Sequence, residues 1–479
     1  MTKIVLFSVN ARYTHPSMGL RCLRANMGAL RDDTVIREFH LKQDAGEIAY
    51  AVAAENPVLV GVGLYIWNVE KVTETLRRIR EMRPDTVIVA GGPEAGHEYE
   101  NTPWFKDTDY VVVGEGESAF PELAVAVLAG KRPARKVVAA TAVIPPESLA
   151  LPYGEYSEQD CATKIIYVET SRGCPFRCAF CLSALEPRVR EFPLDPIFDA
   201  LSDLIARGAR RFKFVDRTFN LRSERVHHML DFLRLRIRDN MQIHFEIVPD
   251  RLDADFVAAL ADFPPGAIRL EAGIQSVNPE TLAAIDRPQD SDLALRNLRA
   301  LRERTGAVIH ADLVAGLPYE TRETFANAFD RVLAVQPHEI QVGILKRLRG
   351  APINRLIEPC RLVFAEQPPY EILETHRLGR TEIECIKRFA RYFEIYHNTG
   401  HFPQSLPLLW QTNASPFEAF MAFSNSLFQA TGRTHAIPLS EQAGRLHAFL
   451  RNHGVQNARE VIEADYYSVP GRRESIAFD

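Results

Sequence analysis

The sequence predicts an α/β protein with two successive parallel βα regions, followed by a mainly helical C-terminal region. Short apolar runs alternate with helical patterns over residues 1–140, the same alternation returns between about 165 and 346, and helical patterns without convincing strands follow residue 350. A chain of 479 residues is too long for one ordinary domain. Its 46% hydrophobic and 25% charged residues are enough for several globular cores.

The first region, residues 1–140, contains five strand candidates: KIVLFSV, TVIREFHL, PVLVGVGLYI, TVIVAGG and YVVVGEG. Helical patterns lie near 17–30, 44–54, 68–82 and 117–129. This order predicts an open, mostly parallel sheet with helices on both faces, in which ligands lie at the carboxyl ends of the strands. Glycines gather at those ends, in GLYIWN, GGPE and GEGES, and favour a broad, flat ligand that approaches the backbone closely. The first loop, NARYTHPSMG, lacks G-x-G-x-x-G, which disfavours a dinucleotide.

Residues 141–164 are rich in Pro, Ser and Tyr without periodicity and are predicted to be a linker. Residues 165–350 contain six strand candidates, KIIYVET, RRFKFVD, QIHFEIV, AIRLEAG, VIHADLV and EIQVGIL. Helical patterns separate them at about 195–207, 221–238, 253–262, 278–301 and 322–335. Six such units predict a partial (β/α)6 barrel with active residues at the carboxyl strand ends. Residues 351–479 are predicted to form a helical domain.

The stretch SRGCPFRCAFC, residues 171–181, holds three of the seven cysteines directly after the first predicted barrel strand. A disulfide framework is disfavoured, because three is odd and the other four cysteines share no pattern. A structural zinc site is disfavoured as well, since no second C-x-x-C or nearby histidine pair completes four ligands. Three thiolates on a [4Fe–4S] cluster would leave one iron open to another ligand.

In this setting the chain resembles the radical S-adenosylmethionine superfamily, whose signature is C-x-x-x-C-x-Φ-C with Φ aromatic. Cys174, Cys178 and Cys181 match the three cluster ligands, and Phe180 matches the aromatic position, to which the resemblance assigns contact with S-adenosylmethionine. The resemblance implies a [4Fe–4S] cluster and S-adenosylmethionine as cofactors. The open iron would chelate the methionine moiety, and electron transfer would yield a 5′-deoxyadenosyl radical, which needs a site closed to water.

The segments FEIVPDRLDADFVAAL and LEAGIQSVNPETLAAIDR resemble the oxygen-independent coproporphyrinogen dehydrogenase branch of that superfamily. The resemblance carries S-adenosylmethionine binding to four positions, namely Glu246, Gln275, Arg287 and Asp312. Arg287 would pair with the methionine carboxylate. The roles of Glu271 and Asp216 stay open, and no catalytic residue is assigned.

A parallel domain before such a barrel, with a GGP turn and VVVGEGE, resembles the cobalamin-binding subfamily of these enzymes. The resemblance implies a flavodoxin-like (Rossmann-like) cobalamin-binding domain. It assigns cofactor contacts to Gly91, Gly92, Gly114, Glu115 and Gly116. The D-x-H-x-x-G motif that supplies an axial histidine is absent, so we expect cobalt without a histidine ligand, Tyr65 and Trp67 near its lower face, and His15 as a pocket contact.

The resemblance implies a methyltransferase that acts on an unactivated carbon through the adenosyl radical and methylcobalamin. A cobalamin-dependent rearrangement, cyclisation or thiomethylation is the alternative, and a non-catalytic iron–sulfur or cobalamin sensor is a third hypothesis. The C-terminal region resembles an uncharacterised group, so the substrate stays open among a small molecule, a peptide, a lipid and an RNA base. A reductant such as flavodoxin or ferredoxin is expected.

The net charge of −5 and the pI near 6.3 give no electrostatic argument for nucleic acid or anionic membrane as the main partner. The longest apolar run, VLVGVGLYIW, is too short for a membrane span. The first residues carry too few apolar side chains for a signal peptide. We therefore expect a cytoplasmic protein without a membrane span.

Overall fold

The computed structural model describes residues 3–140, 143–469, 472, 474–476 and 478. The first two residues of the predicted linker, 141 and 142, therefore lie outside the described residues, as do several positions between 470 and 479. The chain divides into two compact units. The first comprises Met1–Glu246, Arg347–Asn354 and Ala365–Tyr370, and the second comprises Ile247–Lys346, Arg355–Phe364 and Glu371–Asp479.

The first unit begins with a six-stranded, fully parallel sheet in the order β2-β1-β3-β4-β5-β6. Its strands are β1 (Ile4–Asn10), β2 (Thr34–His40), β3 (Leu59–Gly63), β4 (Val87–Gly91), β5 (Tyr110–Val113) and β6 (Val137–Ala139). Its helices are α1 (Met18–Ala25), α2 (Ala45–Ala54), α3 (Val69–Met82) and α4 (Gly116–Leu128). Two separate apolar cores show that α2 and α3 cover one face of the sheet and that α1 and α4 cover the other.

Two details of this sheet differ from the prediction. The sequence predicted five strands, and β6 is a sixth that the short run VVA did not reveal. The third strand was expected to continue to Ile66 but ends at Gly63. Asn68 explains this end, because its side chain accepts from the backbone N–H of Tyr65 at 2.8 Å and donates to the carbonyls of Val9 and Gly63, both at 3.1 Å. These bonds turn the chain away from the sheet before it reaches α3.

The predicted linker contains regular structure and packs on the N-terminal sheet. It forms α5 (Glu158–Thr163), which begins with a capping box between Ser157 and Asp160. Buried Arg21 of α1 reaches Glu38 at 2.8 Å and Asp160 at 3.2 Å, and Lys164 reaches Glu38 at 2.9 Å. The pairing with two cations holds the pKa of Glu38 at about 2 against the opposing effect of burial. A buried ionic network therefore fixes this segment beside the first strands.

The remainder of the first unit contains the first three predicted barrel strands. The elements follow as β7 (Ile166–Val168), β8 (Ser171–Arg172), β9 (Arg190–Glu191), α6 (Leu194–Ala206), β10 (Arg211–Phe214), α7 (Ser223–Arg234) and β11 (Gln242–Ile247). β10 pairs in parallel with both β7 and β11. β8 and β9 form a short antiparallel pair on either side of the cysteine loop.

The second unit contains the other three predicted barrel strands, which pair in parallel as β12-β13-β14. The elements follow as α8 (Ala254–Ala261), β12 (Ile268–Gln275), α9 (Pro279–Ala284), α10 (Ser291–Arg304), β13 (Val308–Ala315), α11 (Arg322–Leu333) and β14 (Glu339–Ile344). The single helix predicted over 278–301 is wrong, since α9 and α10 are separate. Asp286, with a φ of 51°, and Pro288, which cannot donate a backbone hydrogen bond, lie in the break.

The C-terminal part of the second unit is mainly helical, as predicted. It comprises β15 (Val363–Phe364), β16 (Ile372–Glu374), α12 (Arg380–Phe393), α13 (Pro416–Thr431), α14 (Leu439–Asn452) and α15 (Ala458–Tyr467). The small antiparallel pair β15–β16 was not predicted. Buried Phe389 of α12 packs against Phe329, Phe417 and Phe420, so these aromatic side chains form part of the hydrophobic core of the second unit. Within the described residues, no helix combines the length and the apolar character that crossing a bilayer requires.

Candidate functional site

A cavity of about 730 Å³ lies within the first unit, at the carboxyl end of the N-terminal sheet. All eight residues that the sequence assigned to cobalamin line it, namely His15, Tyr65, Trp67, Gly91, Gly92, Gly114, Glu115 and Gly116. Its opposite wall comes from the barrel strand ends and includes Tyr167, Glu169, Arg172 and Arg217, which sequence reasoning missed. One cavity thus joins the glycine-rich edge of the sheet to the segment that precedes the cysteines.

The glycine-rich turns leave bare backbone along one wall of this cavity. Gly92 has a φ of 98°, and a Cβ there would lie 2.7 Å from the carbonyl oxygen of Leu64. Gly114 has a φ of 85°, which also favours glycine. A Cβ at Gly114 would meet no atom within 4 Å, so a ligand in the cavity could approach the main chain at this turn.

Two aromatic side chains project from the loop after β3. Tyr65 and Trp67 stack with ring centroids 4.4 Å apart and an interplanar angle of 15°, and 48% of Trp67 is exposed although it lines the cavity. His15, from the loop after β1, has its Nδ1 atom 2.7 Å from the hydroxyl of Tyr167. Burial and the positive charges of nearby residues, including Arg12, lower the pKa of His15, which favours the neutral imidazole.

Two arginines connect the glycine turn after β5 to the cysteine loop. Arg172, mostly buried, pairs with Glu117 at 2.6 Å, with Glu169 at 3.0 Å and with Glu115 at 3.3 Å. Arg190 also pairs with Glu115. Burial raises the pKa of Glu169 to about 6, against the opposing effect of Arg172. The carboxylate of Glu115, which the sequence analysis assigned to cobalamin, thus forms ion pairs with two arginines.

The cysteine loop is compact and held from both sides. Cys174 and Cys178 are buried and Cys181 is half-buried. Gly173 has a φ of 89°, and a Cβ there would collide with the carbonyl oxygen of Arg188. Burial raises the pKa of the Cys174 thiol, and the neighbouring thiols of Cys178 and Cys181 raise it further. The three cysteines thus share one short loop, in which two of the three thiols are buried.

The donor set fits an iron–sulfur cluster better than a single metal ion. Among the described residues, no three His, Cys, Asp or Glu side chains converge on one point as a mononuclear site needs. A cubane requires no such convergence, because each cysteine binds a different iron.

Asp216, whose role the sequence left open, supports the strand end before this loop. Its carboxylate accepts from the backbone N–H of Thr170 at 3.0 Å, and from the hydroxyls of Thr170 and Ser171, both at 2.6 Å. Burial raises its pKa. Since three donors from Thr170 and Ser171, which lie between β7 and the cysteine loop, occupy this carboxylate, the structure gives Asp216 a supporting role.

Three of the residues assigned to S-adenosylmethionine lie together in the second unit. Gly273 of β12 pairs in register with Asp312 of β13, and its carbonyl accepts from Nη2 of Arg287. Gln275 ends β12 at a register shift with a φ of 66°. Asp312 lies 3.2 Å from Nε2 of His310.

The other two assigned residues belong to the first unit. Phe180 is half-buried in the cysteine loop, and Glu246 on β11 lies 3.4 Å from Nη1 of Arg217. Glu271, whose role stays open in the sequence analysis, pairs in register with His310 in the second unit. Asp312, Glu271 and Glu339 raise the pKa of His310 against the opposing effect of burial.

Three family models match successive parts of the chain. The B12 binding domain model matches residues 4–124, and the radical SAM superfamily model matches residues 168–332. A model described as a protein of unknown function (DUF4080) matches residues 360–476. These matches confirm the two cofactor domains that the motifs predicted.

Curated relatives and solved structures agree with these models. The cobalamin-dependent radical SAM methyltransferase TokK of Streptomyces tokunonensis is 26% identical over 336 residues, 62% of this chain and 48% of that protein. The 2-(S-pantetheinyl)-carbapenam-3-carboxylate methyltransferase of Streptantibioticus cattleyicolor is 25% identical over 412 residues, 73% of this chain and 58% of that protein. The chain thus spans about half the length of these relatives.

Two solved structures share the fold at low sequence identity. The radical S-adenosylmethionine methyltransferase TsrM of Kitasatospora setae, with cobalamin and a [4Fe–4S] cluster bound, has a TM-score of 0.60 and 19% identity over 97% of this chain and 99% of that one. The cobalamin-dependent S-adenosylmethionine radical enzyme OxsB has a TM-score of 0.64 and 12% identity over 97% of this chain and 79% of that one. The predicted α/β architecture is confirmed by this agreement.

Proposed function

We propose that this chain, which belongs to the radical SAM enzymes with an N-terminal B12-binding domain, is a methyltransferase that acts on an unactivated carbon. One observation carries the proposal. A single cavity is bounded by the glycine-rich edge of the N-terminal sheet and by residues that flank the cysteine loop, including Ser171, Arg172 and Ser183. When bound, the cluster supplies the electron that cleaves S-adenosylmethionine to an adenosyl radical, and cobalamin carries the methyl group.

The residues on both walls have distinct proposed roles. Cys174, Cys178 and Cys181 would hold the cluster, and the turns containing Gly92 and Gly114 would lie against the corrin. Glu115 would contact cobalamin and would also hold Arg172 and Arg190 in place through its ion pairs with them. We propose domains at 1–140, 165–350 and 351–479, with 141–164 between them.

The cosubstrate would be held by Phe180, Glu246, Gln275, Arg287 and Asp312. Arg287 would pair with the methionine carboxylate, since a guanidinium offers the strongest charge-assisted hydrogen bonds to a carboxylate. The substrate, whether small molecule, peptide, lipid or RNA base, would reach a site closed to bulk water. A reductant such as flavodoxin or ferredoxin would supply the electron.

The proposed function is tested with anaerobically reconstituted protein, cobalamin, a reductant, cell extract and S-adenosylmethionine that carries a labelled methyl group. We expect the label in a product, together with 5′-deoxyadenosine and S-adenosylhomocysteine. Cys178→Ala should abolish labelling and lose the cluster, whereas Cys385→Ala, the matched control, should retain both.

Other outcomes would overturn the proposal. An unlabelled product formed with 5′-deoxyadenosine would indicate a rearrangement or cyclisation. A label delivered together with sulfur would indicate thiomethylation. Absence of both 5′-deoxyadenosine and product, with both cofactors bound, would indicate a sensor.

A further inference from the structure

The side chain of Gln289 lies against Arg287 in the break between α9 and α10. Its Oε1 atom accepts from Nε of Arg287 at 2.9 Å. Arg287 is held at a second nitrogen, because Nη2 donates to the carbonyl of Gly273. The plane of the guanidinium is thus fixed at two of its three nitrogens.

Gln289 is itself held by the end of β12 and the residue that follows it. Its Nε2 atom donates to the carbonyls of Ile274 and Ser276, both at 3.2 Å, and lies 3.3 Å from the hydroxyl of Ser291. An amide side chain can accept at one end and donate at the other, and this one does both. Hydrogen bonds of Gln289 therefore link the end of β12 to the guanidinium of Arg287.

The backbone of this short segment is anchored at both ends. The N–H of Arg287 donates to the carbonyl of Leu282 at 2.9 Å, and the N–H of Asp290 donates to the carboxylate of Asp250 at 3.1 Å. Asp290 also caps α10, since its side chain accepts from the N–H of Leu293 at 2.9 Å. Pro288 restricts the backbone between them. The side chain of Gln289 consequently extends from a fixed backbone.

We infer that Gln289 is a positioning residue, which holds the Arg287 guanidinium in the orientation that receives the carboxylate of S-adenosylmethionine. The inference rests on the proposed function, in which Arg287 pairs with that carboxylate. An arginine side chain has many rotamers, and ordering it only when the ligand binds weakens affinity. Fixing it beforehand removes that cost.

The test compares two ligands by calorimetry on the anaerobic, cluster-containing full chain. S-adenosylmethionine carries the carboxylate, whereas 5′-methylthioadenosine has the same nucleoside and a sulfur atom but no amino-acid group. We expect Gln289→Leu to weaken S-adenosylmethionine binding about three- to tenfold, the range for ordering one long side chain. Binding of 5′-methylthioadenosine should not change. Gln429→Leu, an exposed position of α13, is the matched control and should leave both affinities unchanged.

Equal weakening of both ligands by Gln289→Leu would overturn the inference, because general damage to the fold would explain it. No weakening of either ligand would overturn it as well. Gln289→Met, which keeps the length without either hydrogen-bonding end, should reproduce the selective effect if Gln289→Leu folds poorly.

Arg287→Ala separates this inference from the proposed function. If Arg287→Ala leaves the ratio of the two affinities unchanged, the pairing of Arg287 with the carboxylate is wrong. If Arg287→Ala lowers that ratio and the Gln289 variants do not, only the positioning role is wrong.

Discussion

Replacing Arg172 with Met should destabilise the first unit because it leaves three acidic side chains without their shared cation. Only 13% of the Arg172 side chain is exposed, and Glu117 and Glu169 are 8% and 19% exposed. Removing one partner of a buried ion pair costs about 3–5 kcal/mol. Glu115 keeps its second partner, Arg190, so we expect a loss near the lower end, about 3 kcal/mol.

The assay is urea denaturation of the anaerobically purified protein at pH 8 and pH 5.5. Without Arg172, the folded pKa of Glu169 should rise further above its unfolded value, so protonation stabilises the folded variant and its deficit should shrink at the lower pH. Glu169→Gln in the same chain should recover part of the loss. Arg77→Met is the control, since Arg77 is half exposed and its pairs with Glu74 and Glu81 contribute at most about 1 kcal/mol. A loss for Arg172→Met no larger than that for Arg77→Met would refute the reasoning.

Two further expectations concern pH and the cobalt environment. Burial raises the pKa of Glu320, which contacts the Ser276 hydroxyl at 2.7 Å, to about 8, from 4.5. Because the folded state keeps a proton that the unfolded chain releases in this range, the free energy of unfolding should fall as pH rises from 5 to 8, by at most about 4 kcal/mol. In urea denaturation, the Glu320→Gln variant should not show this fall in the free energy of unfolding. If its free energy of unfolding depended on pH as steeply as that of the unchanged protein, the prediction would be wrong. Electron paramagnetic resonance of the cob(II)alamin-loaded protein should show no hyperfine splitting from an axial nitrogen ligand. The Trp67→Ala variant should alter the cobalt hyperfine values. A nitrogen splitting that disappears in the His15→Ala variant would instead show that His15 coordinates the cobalt.

The main elements of the fold were predictable because their periodicity is strong. β12 and β13 alternate buried and half-buried residues along their whole length, as the sequences IRLEAGIQ and VIHADLVA indicate. β6 was missed because three residues cannot show a period, and its pairing with β5 decides its conformation. The break before α10 had a signal in Pro288, since the residue before a proline is disfavoured in a helix.

The site was predictable only where its signal is local in the chain. The cysteine spacing and the glycine turns each belong to one loop, so their chemistry can be inferred from short segments. Arg172 gives no such signal, because its partner Glu117 lies 55 residues away and the pairing exists only after folding. The same holds for Gln289, whose contacts with the end of β12 depend on the course of the chain between two helices.

The position of Arg172 gives the cysteine loop and the glycine turn after β5 a common support. Arg172 lies two residues before Cys174, and Glu115 and Glu117 belong to the turn and helix start that follow β5. A displacement of either loop would therefore have to break buried ion pairs, which is costly because the separated charges would stay poorly solvated. Rigid support of this kind suits the proposed radical chemistry, since the reacting groups would have to meet in a fixed geometry while water is kept out. The charged residues in the cavity wall thus hold the cysteine loop against the glycine turn after β5, and their exchange for neutral side chains should loosen both segments together.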